Sequence, residues 1–541
     1  MNKKSLLIVI FIIFIVSRFL GLGQIYHQDE YRWATIVNPL FADGNSPHPP
    51  ITQLSLELTG RIFGYAHLRV APFVFSILCF LLVFLIAYRI SQKLPIALTA
   101  IALLTINTYS YIANLQIDID GAVLPFFGLL MFYSYWMVFK EKKSQWLVVL
   151  IISIIAGFLT KLSFVLFAGA LVADYLWEHR HILSKNLYKI LMSLAGLILI
   201  AVAVFAFFFS RMSVVISYAG HFKSLNLASR SYFDLVFKLF KSLVWLSPLL
   251  ALPALAGLLD RKYISKFRFW YLYLFFNAVF YLVLFDFSRL TVERYFMFMI
   301  YPAVIISSQW LYDTFSGIRF SKKAIAISIL VFVVFLILTV YLNPQVLPLN
   351  PKIAYVNKIK NLDFNFLIPM TGGSGPVGFY VSALFVLAAW ALGLLGVVAD
   401  KFKVRYANIL VLGFLVFGTG YNIALTKENM RGPMYGSVDS VAEQSLDYIS
   451  RNPNITQVIT YYDIGAYYLR LDGKYYSRFY TAPSRDYTMK LTQYRGQYMI
   501  VDFPAIDKNS DYWKLISRCR LDQKFTDKKV ESYIFNCANL E

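Results

Sequence analysis

Charged side chains are scarce in this chain, at 15% of 541 residues, where ordinary soluble domains carry about a quarter. That shortage excludes a soluble protein of this size. Hydrophobic residues reach 58%, aromatics 18% and the mean hydropathy is +0.59, so lipid is the solvent for most of the chain. Cysteine is nearly missing, with only Cys79, Cys519 and Cys537, and no zinc-type Cys/His cluster exists. Cys79 lies in an apolar run and reads as inert. Whether Cys519 and Cys537 pair is left open by spacing alone; an extracellular tail would permit it. Sequence repeats, common in secondary transporters, are not found. The N-terminal apolar run after MNKKS lacks a small-residue cleavage site and reads as a retained membrane helix rather than a signal peptide.

Acidic residues are also few, 30 against 51 Lys and Arg, giving a net charge of +21. The basic residues sit mainly in short runs between apolar segments, which is membrane topology and contact with anionic lipid rather than nucleic-acid binding.

Thirteen stretches are apolar enough to be read as membrane helices. They are Ser5–Leu22, Val70–Ile90, Leu94–Ala113, Ala122–Phe139, Trp146–Leu159, Leu162–Trp177, Ile190–Ser210, Leu243–Leu259, Trp270–Phe287, Tyr295–Phe315, Ala324–Leu342, Pro376–Val398 and Ile409–Leu425. With the N-terminus cytoplasmic, every inside turn is basic, from Arg89 and Lys93 to Lys401, Lys403 and Arg405, and the outer turn at Asp118 carries no Lys or Arg. An odd count places the C-terminus outside. Three outer segments are long, Gly23–Arg69, Arg211–Ser242 and Asn343–Gly375, and long loops carry function. Within the first, Thr52–Gly64 reads either as a helix on the membrane surface or as an ordinary loop helix. Residues 1–426 form the membrane domain. Residues 427–541 are polar and Tyr-rich, with strand-like Val458–Tyr461 and Tyr498–Phe503 and a helix from Asp511 to Arg518, and read as a small extracytoplasmic α/β domain. The fold class is an all-α polytopic membrane protein with that domain appended.

Five features carry chemistry. Asp29 and Glu30, with Arg32 just after, follow the first helix; they suit an interfacial charge cluster as well as a pair of catalytic acids. Asp118 and Asp120 open the fourth helix, where capping explains one carboxylate well but not obviously two. His48 stands in Pro47-His48-Pro49-Pro50, a rigid corner or a fixed platform for His48. Lys161 ends the fifth helix on the outer side, where basic residues are disfavoured, and either snorkels or binds a lipid phosphate. Glu293, Arg294 and Tyr295 start the tenth helix; Arg294 either pairs with Glu293 or forks onto phosphate. All five fall on the outer side, and unrelated accidents would scatter over both.

In this order the residues resemble the GT-C superfamily of membrane glycosyltransferases, in particular the protein O-mannosyltransferase and aminoarabinose-transferase-like group. The resemblance rests on Asp29-Glu30 with Arg32, His48-Pro49-Pro50, Asp118/Asp120, Leu159-Thr160-Lys161 and Glu293-Arg294-Tyr295 over nearly the whole chain. It implies a GT-C-like fold, a polyprenyl-phosphate sugar donor, and a protein, lipid or glycan acceptor at the outer face of the cell membrane. Asp29 then matches the catalytic acid, Glu30 its neighbour, and Asp118 or Asp120 the second acidic position. Arg32, Lys161 and Arg294 are candidates for the donor phosphate, and His48, Glu293 and Tyr295 for the substrate. The family's charged pair before the prolines is replaced here by Pro47 and His48, which leaves the sugar and any local metal open. Two acidic sites permit a divalent cation (Mg or Mn) without demanding one. Two other readings stand beside this one. Asp118-Ile119-Asp120 and Tyr461-Tyr462-Asp463-Ile464-Gly465 faintly resemble oligosaccharyltransferase motifs, and many helices with embedded charge fit a transporter or flippase.

Overall fold

The computed structural model describes residues 2–41, 49–180, 231–284, 293–318, 320–349, 352–371, 377–402, 407–479 and 494–538. From the N-terminus the helices are α1 (Lys3–Phe19), α2 (Asp29–Val37), α3 (Pro50–Phe63), α4 (Val70–Ser91), α5 (Leu94–Ile106), α6 (Thr108–Leu115), α7 (Leu124–Phe139), α8 (Trp146–Phe158) and α9 (Val165–Glu178); later helices are named by their residues. Among the described residues five helical segments are long and apolar enough to cross a membrane, and seven if two bent pairs each count as one. The thirteen-span expectation is therefore matched only in part, and its seventh stretch, Ile190–Ser210, lies outside the described residues.

These segments are helical because lipid offers no partner for backbone N–H and C=O groups, so each must find one inside the chain. The 22 residues of α4 reach about 33 Å at roughly 1.5 Å each, enough to span about 30 Å of hydrocarbon. Helix Lys322–Tyr341 buries only Phe332 and Thr339, and Leu330 and Ile337 are 62% and 60% exposed. Such a surface is stable only against lipid. In α3, Leu54, Leu58 and Ile62 form an outward stripe while Leu56 and Gly60 are buried.

Two expected spans are broken. The stretch read as one helix over Leu94–Ala113 bends by 70° between α5 and α6, and the stretch over Leu243–Leu259 bends by 109° between Leu246 and Pro248. Asn107 causes the first break by turning its side chain to cap α6 at Ser110 N–H, 2.9 Å away. Ser247, at φ 74°, and Pro248 cause the second. Both breaks meet a third helix, Ala407–Arg431, at Asn422. Its Oδ1 accepts from Asn107 Nδ2 at 3.1 Å and from Thr108 N–H at 3.3 Å, and its Nδ2 donates to Ser247 Oγ at 3.0 Å. Asn107 Nδ2 also donates to Leu246 C=O at 2.9 Å. One buried amide thus serves the backbone and side-chain groups that both kinks would otherwise leave unmatched.

Beyond the helices lie two sheets. Strands β1 (Gln345–Val346), β2 (Phe366–Met370) and β3 (Phe379–Ser382) form one. The other has the order β5-β4-β6-β8-β7, from β4 (Val458–Tyr461), β5 (Tyr475–Phe479), β6 (Gln497–Val501), β7 (Arg520–Asp527) and β8 (Val530–Asn536). β4 runs parallel to β5 and β6, and β6, β8 and β7 are antiparallel. Helix Val438–Arg451 packs its Val441, Ala442 and Ile449 on this sheet, in a core shared with Ile25, Leu367 and Tyr380. Cys519 and Cys537 are disulfide-bonded, with Cα atoms 4.7 Å apart. The last apolar helix runs on to Arg431, beyond the composition change at Thr426.

Asn422→Ala should leave the Thr108 N–H and the Ser247 hydroxyl without the partner shown here and remove one of the two bonds of Asn107 Nδ2, at roughly 1–3 kcal/mol for each buried group left unmatched. The expected outcome is a clear fall in the thermal unfolding midpoint of the detergent-purified protein. An unchanged midpoint would show that the kinks are held by something else.

Candidate active site

Four stretches of chain meet where regular helix gives way. Asp29 opens α2 behind Gln28, whose backbone sits at φ 43°, ψ −111°, a conformation that costs a non-glycine residue about 1–3 kcal/mol. Asp118 caps the π-helical turn Ile119–Val123 through the Ile119 N–H at 2.7 Å, and Asp120 lies inside that turn. Lys161 stands in extended backbone between α8 and the 3-10 turn Leu162–Phe164. Arg294 and Tyr295 lie on the 3-10 helix Glu293–Met299. Irregular backbone at membrane depth is tolerated where it is enclosed by protein or lines a cavity.

Arg294 joins these pieces. One of its NH groups donates to Asp29 and, at 2.7 Å, to Asp118, while the other donates to the Tyr295 hydroxyl at 2.8 Å. Lys161 donates to both oxygens of Asp120 at 2.7 Å. The Tyr295 ring lies under both cations, 4.6 Å from the Arg294 guanidinium and 4.8 Å from the Lys161 ammonium. Burial works against the charge on Lys161, but the Asp120 carboxylate more than offsets it and the pKa is raised. The same balance, with Asp118 the main partner, raises Arg294. Trp33 Nε1 approaches Asp118 at 3.4 Å and Gln116 Nε2 at 3.3 Å. Asp29 is the most open of the three carboxylates, with 28% of its side chain exposed against 5% for Asp118. Arg32 stands at the rim, 3.6 Å from Asp29 and half exposed. Inward, Asp120 and Tyr295 border a narrow cleft lined also by Ser163, Tyr273, Asn277 and Tyr281. A second, apolar crevice shares Pro125, Phe167, Tyr273 and Phe298 with it.

Glu30, read from the sequence as a second catalytic acid, has different surroundings. It is fully buried, and Arg69 grips it with two bonds of 2.6 and 2.8 Å. Its oxygens also accept from Ile117 N–H at 3.1 Å and His27 N–H at 3.3 Å. Arg69 in turn donates to the carbonyls of Gln24, Ile25 and Leu115. The pair clamps the first outer loop to the segment carrying Asp118, and its oxygens are already fully used. His48 lies outside the described residues, as does the Glu293 side chain.

Sequence reasoning missed Arg69, Trp33, Lys238 and Lys241. The two lysines are buried on helix Tyr232–Leu246, which packs against Glu293–Met299. Lys241 Nζ donates to Thr371 Oγ1 at 3.1 Å. Phe233, Val236 and Phe240 of the same helix face outward. A helix with phenylalanines out and lysines in is inverted for water and correct for lipid. That pattern was present in the stretch YFDLVFKLFK but was read as outer loop. Among the described residues no group of three or more His, Cys, Asp or Glu is placed to hold a metal ion. Asp29 and Asp118 share Arg294, and Asp120 is held by Lys161, so this carboxylate set fits its own cations rather than a divalent metal.

Glu30→Ala should strand the Arg69 charge in the interior at a cost of about 3–5 kcal/mol, read as a lower unfolding midpoint. The double change Glu30→Met with Arg69→Leu removes the stranded charge but also the partners of two backbone N–H groups and three carbonyls, so it should recover only part of that loss. A single variant as stable as the parent would remove the clamp.

A family model described as dolichyl-phosphate-mannose-protein mannosyltransferase matches residues 47–205. Among solved structures, that of ArnT from Cupriavidus metallidurans bound to undecaprenyl phosphate aligns with a TM-score of 0.54 at 15% identity, covering 99% of this chain and 98% of that one. The apo state of the same protein aligns at 0.47 and 14%, covering 100% and 99%. The archaeal oligosaccharyltransferase AglB from Archaeoglobus fulgidus, in complex with an inhibitory peptide and a dolichol-phosphate, aligns at 0.40 and 11%, covering 87% and 63%. No curated protein matches in sequence. With its ArnT-like fold and the mannosyltransferase match in its N-terminal half, the chain resembles the GT-C superfamily of membrane glycosyltransferases, in its ArnT and protein O-mannosyltransferase group.

Proposed function

We propose that the protein is a polytopic membrane glycosyltransferase that takes a sugar from a polyprenyl-phosphate donor and passes it to an acceptor hydroxyl at the outer face of the membrane. On this reading the chain crosses the membrane thirteen times, with its N-terminus cytoplasmic and residues 427–541 outside. The single observation that carries it is the meeting of Asp29, Asp118, Lys161 and Arg294, from distant stretches of chain, next to a narrow cleft that Asp120 and Tyr295 line together with polar and aromatic side chains. The solved ArnT structure of the same fold is bound to undecaprenyl phosphate, which supports the class of donor.

An amphipathic donor places its phosphate at headgroup depth and its tail in hydrocarbon. Transfer then requires a base for the acceptor hydroxyl and positive charge for the departing phosphate. Asp29, the most exposed carboxylate, takes the acceptor proton. The acceptor oxygen attacks the anomeric carbon from the side opposite the phosphate, and the sugar–oxygen bond breaks with its electron pair going to the polyprenyl phosphate. Configuration is inverted and no covalent enzyme intermediate forms. Arg294 and Lys161 stabilise the leaving phosphate, with Arg32 at the rim and Lys238 and Lys241 adding charge from the neighbouring helix. Asp118 and Asp120 orient the two principal cations, and Glu30 acts as the clamp. No step is routed through a metal ion.

Asp29→Asn should fold normally and lower transfer of radiolabelled sugar by about 10²–10⁴-fold. Retained activity would remove Asp29 from the role of base. Lys161→Met should lower the rate about 10²–10³-fold; an effect no larger than that of a surface-lysine substitution would dismiss it. Activity should persist in excess chelator, and loss restored by Mg or Mn would overturn the metal-free scheme. A transporter, by contrast, would move lipid across vesicles without forming a new glycosidic bond.

A further inference from the structure

Helix α2 has a second face that the proposed chemistry does not use. Asp29 and Trp33, four residues apart, lie on the side turned to Arg294 and Asp118. Tyr31 lies half a turn away, buried against the C-terminal sheet. Its ring meets that of Tyr475 on β5 at 5.4 Å, and its hydroxyl accepts from Arg470 on helix Ala466–Leu471 at 3.4 Å. The Arg470 guanidinium also covers the ring of Phe41 at 4.6 Å. At the end of α2, Asn38 Nδ2 donates to the Tyr467 hydroxyl at 3.0 Å. Behind these contacts stands Asp463, fully buried, which accepts from the Tyr475 hydroxyl at 3.2 Å and from Arg478 at 2.6 Å. Tyr462 and Asp463 both have left-handed backbone, at φ 54° and 59°, and such strain persists only where the surroundings hold it.

We propose that helix Ala466–Leu471 and strand β5 form a brace that sets the rotation of α2 about its axis and thereby the placement of Asp29. Tyr31, Arg470 and Tyr475 are positioning residues; none of them touches the reacting atoms. The idea rests on Asp29 acting as the base. A carboxylate stands about 5–6 Å from its helix axis, so a turn of roughly 10° moves it by about 1 Å. Misplacement on that scale costs up to about 10²-fold in rate. The C-terminal sheet therefore contributes to the rate without contributing a reacting group.

The test uses the full-length protein in detergent, with Arg470→Ala, Arg470→Lys and the milder Tyr31→Phe. Active protein is counted by binding of labelled polyprenyl phosphate, so that misfolded molecules do not enter the rate. For Arg470→Ala the expected result is a 10- to 100-fold fall in kcat per binding site, with donor KM within about twofold of the parent. Partial recovery is expected in Arg470→Lys, with faster amide hydrogen exchange confined to α2. Tyr31→Phe should show the same split, more weakly, and decides the matter if Arg470→Ala does not fold. An unchanged kcat per site, or unchanged exchange in α2, overturns the brace. The exchange measurement is independent of the chemistry of Asp29. If Asp29→Asn proves active, the assignment of the base fails while the exchange result still judges the brace.

Discussion

The fully buried pair of Glu30 and Arg69 is the contact on which the site depends. Two ions removed from water are stable only if their attraction and added hydrogen bonds offset the lost hydration. Here they do so by engaging backbone from two places, the first loop at Gln24, Ile25 and His27 and the segment before Asp118 at Leu115 and Ile117, with Arg69 itself supplied from the start of α4. Because Glu30 follows Asp29 directly, fixing one fixes the other to within a side-chain rotation. The clamp thus brings two carboxylates far apart in sequence into reach of one guanidinium.

Lipid explains why so much of this arrangement sits on interrupted helices. A continuous helix satisfies its own backbone and presents only side chains. Groups aimed into a cleft at the membrane edge require the helix to stop, and each stop leaves polar backbone to be matched. Asp118 answers one such need by capping the turn it precedes. Asn422 answers two, at the breaks next to Asn107 and Ser247. The kink at Asn107 redirects α6 toward Asp118, and the kink at Ser247 lets helix Tyr232–Leu246 lie against Glu293–Met299 with its lysines inward. Structural amides and functional charges are parts of one construction.

Hydropathy made the membrane part legible, but not its interruptions. Leu94–Ala113 reads as one apolar run because Asn107, Thr108 and Ser110 are too few to lower the average, although Asn107 carries the capping signal that breaks it. In the C-terminal region the expected strands at Val458–Tyr461 and near Tyr498 are present as β4 and β6, and the helix beginning at Asp511 ends at Ile516. The hairpin of β7 and β8 was missed. Its turn is made by Lys528 at φ 54° without the Asn-Gly or Asp-Gly pair that usually marks such turns. The charged residues Asp29, Asp118, Lys161 and Arg294 were visible singly. Their convergence was suggested by shared sidedness and by family resemblance, since no local pattern encodes a contact across 265 residues. Arg69 closes the long outer loop, where a basic residue is disfavoured as at Lys161; that signal was there, but only its enclosure with Glu30 reveals the clamp.

In the structure Asp29 is held by Arg294, with one carboxylate oxygen engaged by the guanidinium. On the proposed reading it must be released before it can take a proton. The group best able to take Arg294 from it is another anion of similar geometry, and a phosphate accepts the guanidinium fork as a carboxylate does. Donor binding and activation of the base would then be one exchange of partners. Asp118 shares the same NH group at 2.7 Å and can keep the guanidinium oriented while Asp29 turns to the acceptor. Such coupling would also protect the donor, since the base would become available only in the presence of the phosphate it serves. It requires that α2 stay in place when Asp29 loses its ionic tether, and the contacts of Tyr31 and Asn38 on the opposite face of that helix are of the kind that would hold it there.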